Sequence, residues 1–340
     1  MMRGRTIWWE DGGVGLIEQT LLPEEYREVV CPDVLRLVKA IKRLEVRGAP
    51  ALGVAGAYGV ALACKNAPDG PRDAFSRSVN EAAALLRSAR PTAVNLAWGV
   101  DRVLSAIQPL SDPADAAEKA LICAEQIADE DEETCRRIGS HGAALLPDDC
   151  TVLTHCNAGA LACSAWGTAL GVIRSAAEDG KNVRVISCET RPLLQGSRLT
   201  AWELLRDGIP VTTIIDSEAA YLMQKREIDC VIVGADRICT DGIFNKIGTY
   251  MHAVSASYHN IPFYVAAPRS TFDPAHRMAD IIVEERGREE VAALFGRTTV
   301  PDTVPVVNYA FDATPFSLIS AIITEDGLIK EPFDHPWLMP

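Results

Sequence analysis

The chain has 340 residues, 48% hydrophobic and 23% charged, enough for two domains or one large one with a substantial core. Lys and Arg number 33 and Asp and Glu 46, a formal net charge of -13, so the basic footprint that nucleic acid or an anionic membrane demands is missing. No apolar run reaches the roughly 18 residues of a membrane span, and no signal-peptide core precedes Glu10 and Asp11, so a cytoplasmic location with no membrane or nucleic-acid partner is expected.

Ten cysteines are many for such a chain. None forms a C-x-x-C, which argues against a structural zinc site, and the missing secretory signal argues against a disulfide framework. Most are expected to be small buried hydrophobes, with at most one or two chemically special.

In chain order, Thr6 to Glu18 reads as strand or loop, and a helix is predicted from about Pro32 to Glu45. A small-residue helix follows over Val46 to Val60. Arg72 to Ala89 is a third helix, stopped at Arg90-Pro91, and Asn95 to about Ile107 a fourth. Asp112 as cap and Pro113 in the first turn open a long helix with apolar positions at Leu121, Ala124, Ala128, Cys135 and Ile138.

From Cys150 the texture changes to alternating apolar strands and helices. Strands are predicted at Thr151–Thr154, Val183–Cys188, Val211–Ile215, Asp229–Val233 and Pro262–Ala266. Helices are predicted from about Ser164, Ser197, Ser217 and Lys246, two of the series ending at Gly180 and Gly208. Continuously apolar strands alternating with helices indicate a doubly wound parallel sheet, preceded by a smaller, mainly helical domain.

In such a sheet, ligands bind beyond the carboxyl ends of the strands. That rule selects His155-Cys156-Asn157, then Glu189 to Pro192 leading to Gln195-Gly196, then Gly234-Ala235-Asp236-Arg237 with Asn245 and Lys246. Cys156 is either a buried loop cysteine or a thiolate favoured by helix N-terminal amides. Asp236 is either an active-site acid or a helix cap. Lys246 is an anion ligand at a helix start or a solvated surface lysine. Arg47-Gly48-Ala49-Pro50 offers a guanidinium and free helix amides to an anion, whereas Gly53, Gly56 and Gly59 also suit close helix packing. His155 should point away from Cys156, which argues against a Cys–His dyad.

Five segments together resemble one family closely. They are Val46 to Ala51, Arg90-Pro91-Thr92-Ala93-Val94-Asn95-Leu96, Thr154-His155-Cys156-Asn157-Ala158-Gly159-Ala160-Leu161, Glu189 to Gly196, and Gly234-Ala235-Asp236-Arg237 with Asn245 to Tyr250. The family is 5-methylthioribose-1-phosphate isomerase, of methionine salvage, and the likeness runs from Trp9-Glu10-Asp11 to Asp312-Ala313-Thr314-Pro315. It implies an α/β fold with a Rossmann-like parallel-sheet C-terminal domain over residues 129–340. A smaller, mainly helical N-terminal domain would cover 1–128, and the chain would form a homodimer. It also implies Cys156 and Asp236 as the catalytic pair and Arg47, Gly48, Ala49, Arg90, Gln195, Asn245 and Lys246 as sugar-phosphate ligands. No metal and no organic cofactor is implied.

The implied reaction isomerises an aldose 1-phosphate to a ketose 1-phosphate. Its anomeric oxygen is esterified, so the ring opens only with an acid at the ring oxygen. Asp236 would be that acid, protonated in a dry site. Cys156 would carry the proton from C2 to C1, or stabilise charge during a hydride shift. Rival substrates are 5-deoxyribose 1-phosphate, since one thioether contact discriminates little, and ribose 1,5-bisphosphate, which needs a second cationic cluster. A rival of another class is a non-catalytic regulatory subunit of the translation initiation exchange factor, which shares the fold. The family more often has an acidic residue where Cys188 stands, and the stretches Pro268 to Asp273 and Ala275 to Ile282 depart from its pattern.

Overall fold

A computed structural model describes residues 4–68, 70–90 and 93–338. The chain divides into two compact units, one running to Arg136 and including Gly159–Gly167, the other comprising Arg137–Ala158 and Thr168 onward.

Unit 1 begins with an antiparallel sheet of β1 (Ile7–Glu10), β2 (Gly13–Ile17) and β3 (Glu28–Cys31). Then come helices α1 (Val34–Lys42), α2 (Ala49–Asn66), α3 (Arg72–Ala89), α4 (Val94–Ile107) and most of α5 (Pro113–Ala143). The predicted helices are all present, and Asp112 caps α5 by accepting from the Ala114 amide at 2.7 Å. The stretch Thr6 to Glu18, read as strand or loop, holds β1 and β2, whereas β3 is not expected from the sequence, being mostly exposed with no alternation strong enough to mark it.

Helix α2 is apolar all round and buried from Ala51 through Cys64, as a central helix must be. Its glycines let α4 approach to backbone contact. A Cβ at Gly99 would lie 2.0 Å from the Gly53 oxygen, and one at Gly56 would lie 2.5 Å from the Leu96 oxygen. Close packing is therefore the role of Gly53 and Gly56.

Unit 2 is built on a seven-stranded sheet. Its strands are β4 (Asp149–Thr154), β5 (Asn182–Cys188), β6 (Val211–Ile214), β7 (Cys230–Val233), β10 (Phe263–Ala266), β14 (Ala321–Thr324) and β15 (Gly327–Ile329). Their order is β15-β14-β10-β7-β4-β5-β6, parallel except for β15 at the edge. The strands rank β4-β5-β6 in one direction and β7-β10-β14 in the other, so the order reverses between β4 and β7. Helices α6 (Ala169–Glu178), α7 (Ala201–Arg206), α8 (Ala219–Gln224) and α9 (Thr249–Tyr258) lie between the strands in sequence. A smaller antiparallel sheet joins β8 (Arg237–Ile238), β9 (Gly242–Lys246) and β13 (Phe311–Pro315). Helix α10 (Glu289–Ala292) leads into the ribbon of β11 (Ala293–Leu294) and β12 (Arg297–Thr298).

Two expectations are corrected. The helix expected from Ser164 begins at Ala169, after a three-residue turn at Ala160–Ala162; Trp166 at φ 61° and Gly167 at φ 90° break the path. The helix expected from Lys246 begins at Thr249, and Lys246 ends strand β9. Pairing of β9 with β8 and β13 claims that residue, and a long-range partner such as β13 leaves no local trace.

Candidate active site

Cys156 follows β4 and Asp236 follows β7, the two strands that flank the reversal of strand order. Of the ten cysteines, nine are buried and Cys156 is half-buried. It sits at φ 65°, a conformation costly for a residue with a side chain. Two hydroxyls hold it there. The Cys156 amide donates to Thr190 Oγ1 at 2.8 Å, and Thr200 Oγ1 donates to the Cys156 carbonyl at 2.6 Å. No helix begins at Cys156, since α6 starts only at Ala169, so the expected help from helix amides to a thiolate is withdrawn.

Thr190, at the end of β5, is also in the left-handed region at φ 66°, which is strained for a β-branched side chain. Asp216, beyond β6, holds this loop. Its two oxygens accept from the amides of Thr190 and Arg191, each at 2.7 Å. The Thr190 hydroxyl donates to the Cys188 carbonyl at 3.0 Å while accepting from Cys156, so the ends of β4, β5 and β6 form one hydrogen-bonded set. Sequence reading passed over Asp216, although a carboxylate just past a third strand satisfies the same positional rule as Asp236. Gln195 is buried, and its Oε1 has no hydrogen-bond partner among the described residues.

Beneath the Cys156 loop lies a buried polar network. Asn157 Nδ2 donates to Glu203 Oε1 at 2.9 Å, and Arg174 bridges Glu203 and Asp207 at 2.8 and 2.6 Å. Glu203 and Arg174 are nearly inaccessible, and each balances the other's charge. His155 is buried, with its Nδ1 3.5 Å from Thr190 Oγ1, the hydroxyl that accepts from the Cys156 amide. Its Nε2 lies 2.8 Å from the Ile247 carbonyl and its Nδ1 3.2 Å from His252 Nε2. Burial pushes His155 down to about 4 and His252 to about 3, so both rings are neutral at physiological pH.

Asp236 donates its amide to the Phe244 carbonyl at 2.9 Å, which sets it beside the end of β9. Its side chain is exposed. Asn245 and Lys246 are both buried, so the picture of Lys246 as a solvated surface lysine does not hold. Lys246 Nζ donates to the Ala310 carbonyl at 2.8 Å and stands 4.9 Å from the centre of the Phe311 ring. Asn245 Nδ2 donates to Thr249 Oγ1 at 3.1 Å. At the head of α9, Asp312 accepts from the amides of Gly248 and Tyr250 at 2.7 and 3.1 Å, and burial raises its carboxyl to about 6.

The other expected ligands belong to unit 1. Arg47 is half-buried, and Gly48 caps α2 at φ 98°. A Cβ at Gly48 would lie 2.4 Å from the Ala162 oxygen, so glycine is required on two counts. Pro50 has no N–H, which leaves the amides of Ala49 and Ala51 as those without an intrahelical acceptor. Arg90 ends α3, half-buried, and Pro91 and Thr92 lie outside the described residues.

This chain resembles several known proteins over nearly its whole length. The putative methylthioribose-1-phosphate isomerase of Archaeoglobus fulgidus is 52% identical over 330 residues, covering 97% of each chain. The methylthioribose-1-phosphate isomerase of Roseiflexus sp. is 52% identical over 337 residues, covering 97% of this chain and 95% of its own. Among solved structures, the 5-methylthioribose 1-phosphate isomerase of Pyrococcus horikoshii superposes with a TM-score of 0.91 at 41% identity, covering 97% of this chain and 93% of its own. A structure from A. fulgidus described as translation initiation factor eIF-2B, subunit delta, gives 0.90 at 52% identity, covering 97% of each. Residues 45–331 match the initiation factor 2 subunit family, and the chain belongs to it.

Proposed function

We propose that this protein is an aldose–ketose isomerase that converts 5-methylthio-D-ribose 1-phosphate to 5-methylthio-D-ribulose 1-phosphate in methionine salvage. The observation that carries this reading is positional. The only cysteine not buried and an exposed aspartate follow the two strands at the reversal of strand order. Full-length relatives at 52% identity that bear the isomerase name support the same reaction.

In this reading the Rossmann-like catalytic domain, expected over 129–340, corresponds to unit 2 and the mainly helical one, expected over 1–128, to unit 1, and the chain works as a cytoplasmic homodimer. Asp236 donates a proton to the ring oxygen and opens the ring. Being exposed without ligand, it becomes dry only when substrate covers it, which ties its acidity to binding. Cys156 then takes the C2 proton and returns it to C1, or stabilises charge while hydride moves directly; on either route the 2-hydroxyl proton released as the ketone forms restores Asp236. Lys246, Asn245, Gln195, Arg47, Arg90 and the Gly48-Ala49 amides hold the sugar phosphate. Gln195 suits this role because its buried oxygen awaits a donor such as a sugar hydroxyl.

A second reading, a non-catalytic translation-factor subunit, draws on the description of the A. fulgidus structure. One assay separates the two. Purified protein is incubated with 5-methylthioribose 1-phosphate, 5-deoxyribose 1-phosphate and ribose 1,5-bisphosphate, and ketose is followed. Turnover of the methylthio sugar is expected to be the fastest, and silence with all three overturns the isomerase. Solvent deuterium at C1 of the product would mark the proton-transfer route.

A further inference from the structure

Unit 1 holds three ligand-type side chains that the isomerase reading does not use. Asp131 and Cys135 stand four residues apart on α5 and so share one face. Cys163 comes from the turn that follows Ala160–Ala162. One carboxylate oxygen of Asp131 and the sulfurs of Cys135 and Cys163 lie within 4.8 Å of one another. Both cysteines are fully buried.

The turn that brings Cys163 in is firmly anchored. Thr6 donates its amide to the Ser164 carbonyl at 2.8 Å and its hydroxyl to the Cys163 carbonyl at 2.6 Å. Ser164 Oγ donates to the Ala128 carbonyl of α5 at 2.9 Å. A main-chain amide also aims at the cluster: Ser164 N–H donates to Asp131 Oδ2 at 2.6 Å. Amide donors of this kind orient and stabilise anionic ligands around a metal.

We propose that Asp131, Cys135 and Cys163 bind a thiophilic divalent cation of the zinc class, with water in the fourth position. Tetrahedral zinc, with bonds of about 2.3 Å to sulfur and about 2.0 Å to oxygen, sets its ligand atoms roughly 3.3–3.8 Å apart. The three atoms, all within 4.8 Å of one another, stand near that spacing. The absence of C-x-x-C hid the set, because its cysteines are 28 positions apart in sequence and its third ligand is a carboxylate. Binding would cross-link α5 to the turn, and so couple the cation to the stability of this part of the fold.

A second cluster, His155, Cys188 and His252, has the same atomic closeness. There the hydrogen bonds already account for the facing ring nitrogens: His252 Nε2 donates to His155 Nδ1, and His155 Nε2 donates to the Ile247 carbonyl. It serves as the internal control.

The test uses the full-length chain, reduced, stripped with chelator and titrated with Co²⁺ and then Zn²⁺ without oxygen. One Co²⁺ per chain is expected, with the d–d bands of a tetrahedral site and a sulfur charge-transfer band of two-thiolate intensity. Zn²⁺ should displace it. Cys163→Ser and Asp131→Asn are each expected to weaken cobalt binding by roughly tenfold or more, while Cys188→Ser leaves it unchanged. Zn²⁺ should raise the melting temperature of the parent chain and not that of the Cys135→Ser/Cys163→Ser variant. If that variant fails to fold, the parent spectrum still decides, because the histidine cluster supplies only one sulfur. No band, a one-sulfur band, a band lost in Cys188→Ser, or loss of both thiols to a disulfide with no cation uptake each overturns the proposal. None of these readouts depends on turnover.

Discussion

The contact of α2 with α4 in unit 1 and the strand ends of unit 2 use the same kind of residue run to opposite purpose. Along α2, glycine and alanine remove side chains until two backbones touch, as Gly99 against Gly53 shows. No polar side chain is needed there, and the helix is buried through fourteen successive positions. At the ends of β4, β5 and β6 the small residues give way to Thr190, Asn157, Thr200 and Asp216. Their hydrogen bonds hold two non-glycine residues at positive φ. Packing without polar groups tolerates no added atom, whereas a polar, strained loop is where a reacting side chain is held still. Apolar closeness signals stability, and buried polarity at a strand end signals chemistry.

The sharpest way to break this contrast is at the catalytic pair. Cys156→Ser and Asp236→Asn are each expected to lower turnover by about 10²-fold or more, with substrate affinity by calorimetry little changed. Either variant at near-normal turnover removes its assigned role. In unit 1, Gly99→Ala forces a methyl into the Gly53 carbonyl and should cost about 3 kcal/mol in urea unfolding. Gly180→Ala, where nothing lies within 4 Å and only φ 83° objects, should cost about 1 kcal/mol. Equal costs would mean that the close approach is not what matters.

Asp216→Asn removes the charge from two amide contacts and lets the strained Thr190 relax. A loss of about 1–2 kcal/mol, or roughly tenfold in kcat with KM nearly constant, is expected. A rise in KM at constant kcat would place Asp216 in binding instead of positioning. The smallest effect concerns pH. His252 is held near 3 in the folded chain against 6.5 unfolded, so below pH 6.5 the unfolded chain binds the extra proton and the ring's contribution fades. The stability gap between the parent and His252→Gln should therefore be widest above pH 6.5. It should shrink by at most about 1.4 kcal/mol per pH unit on acidification toward 4. A gap independent of pH would show that the ring is not held neutral. Asp312, raised to about 6, acts in the opposite sense in both proteins and cancels from the difference.

Local chemistry carried much of the molecule. Periodicity and capping place α1 through α5, and apolar runs place five parallel strands, because both are written within a dozen residues. The strand-end rule needs only those strands, and it already points to Cys156 and Asp236. The bounds of Lys246 and of the helix after Cys156 were misplaced for one shared reason. A strand partner such as β13, more than sixty residues away, and a turn closed by Gly159 and Gly167 leave no periodic mark.

The ten cysteines show the same divide. Composition predicts that most are buried packing, and nine are. Which one is accessible, and which two lie against each other beside Asp131, follows from folding alone. Burial and the meeting of distant side chains are properties of the packed chain. Propensity, pattern and net charge belong to the residues themselves and can be read before any packing is known.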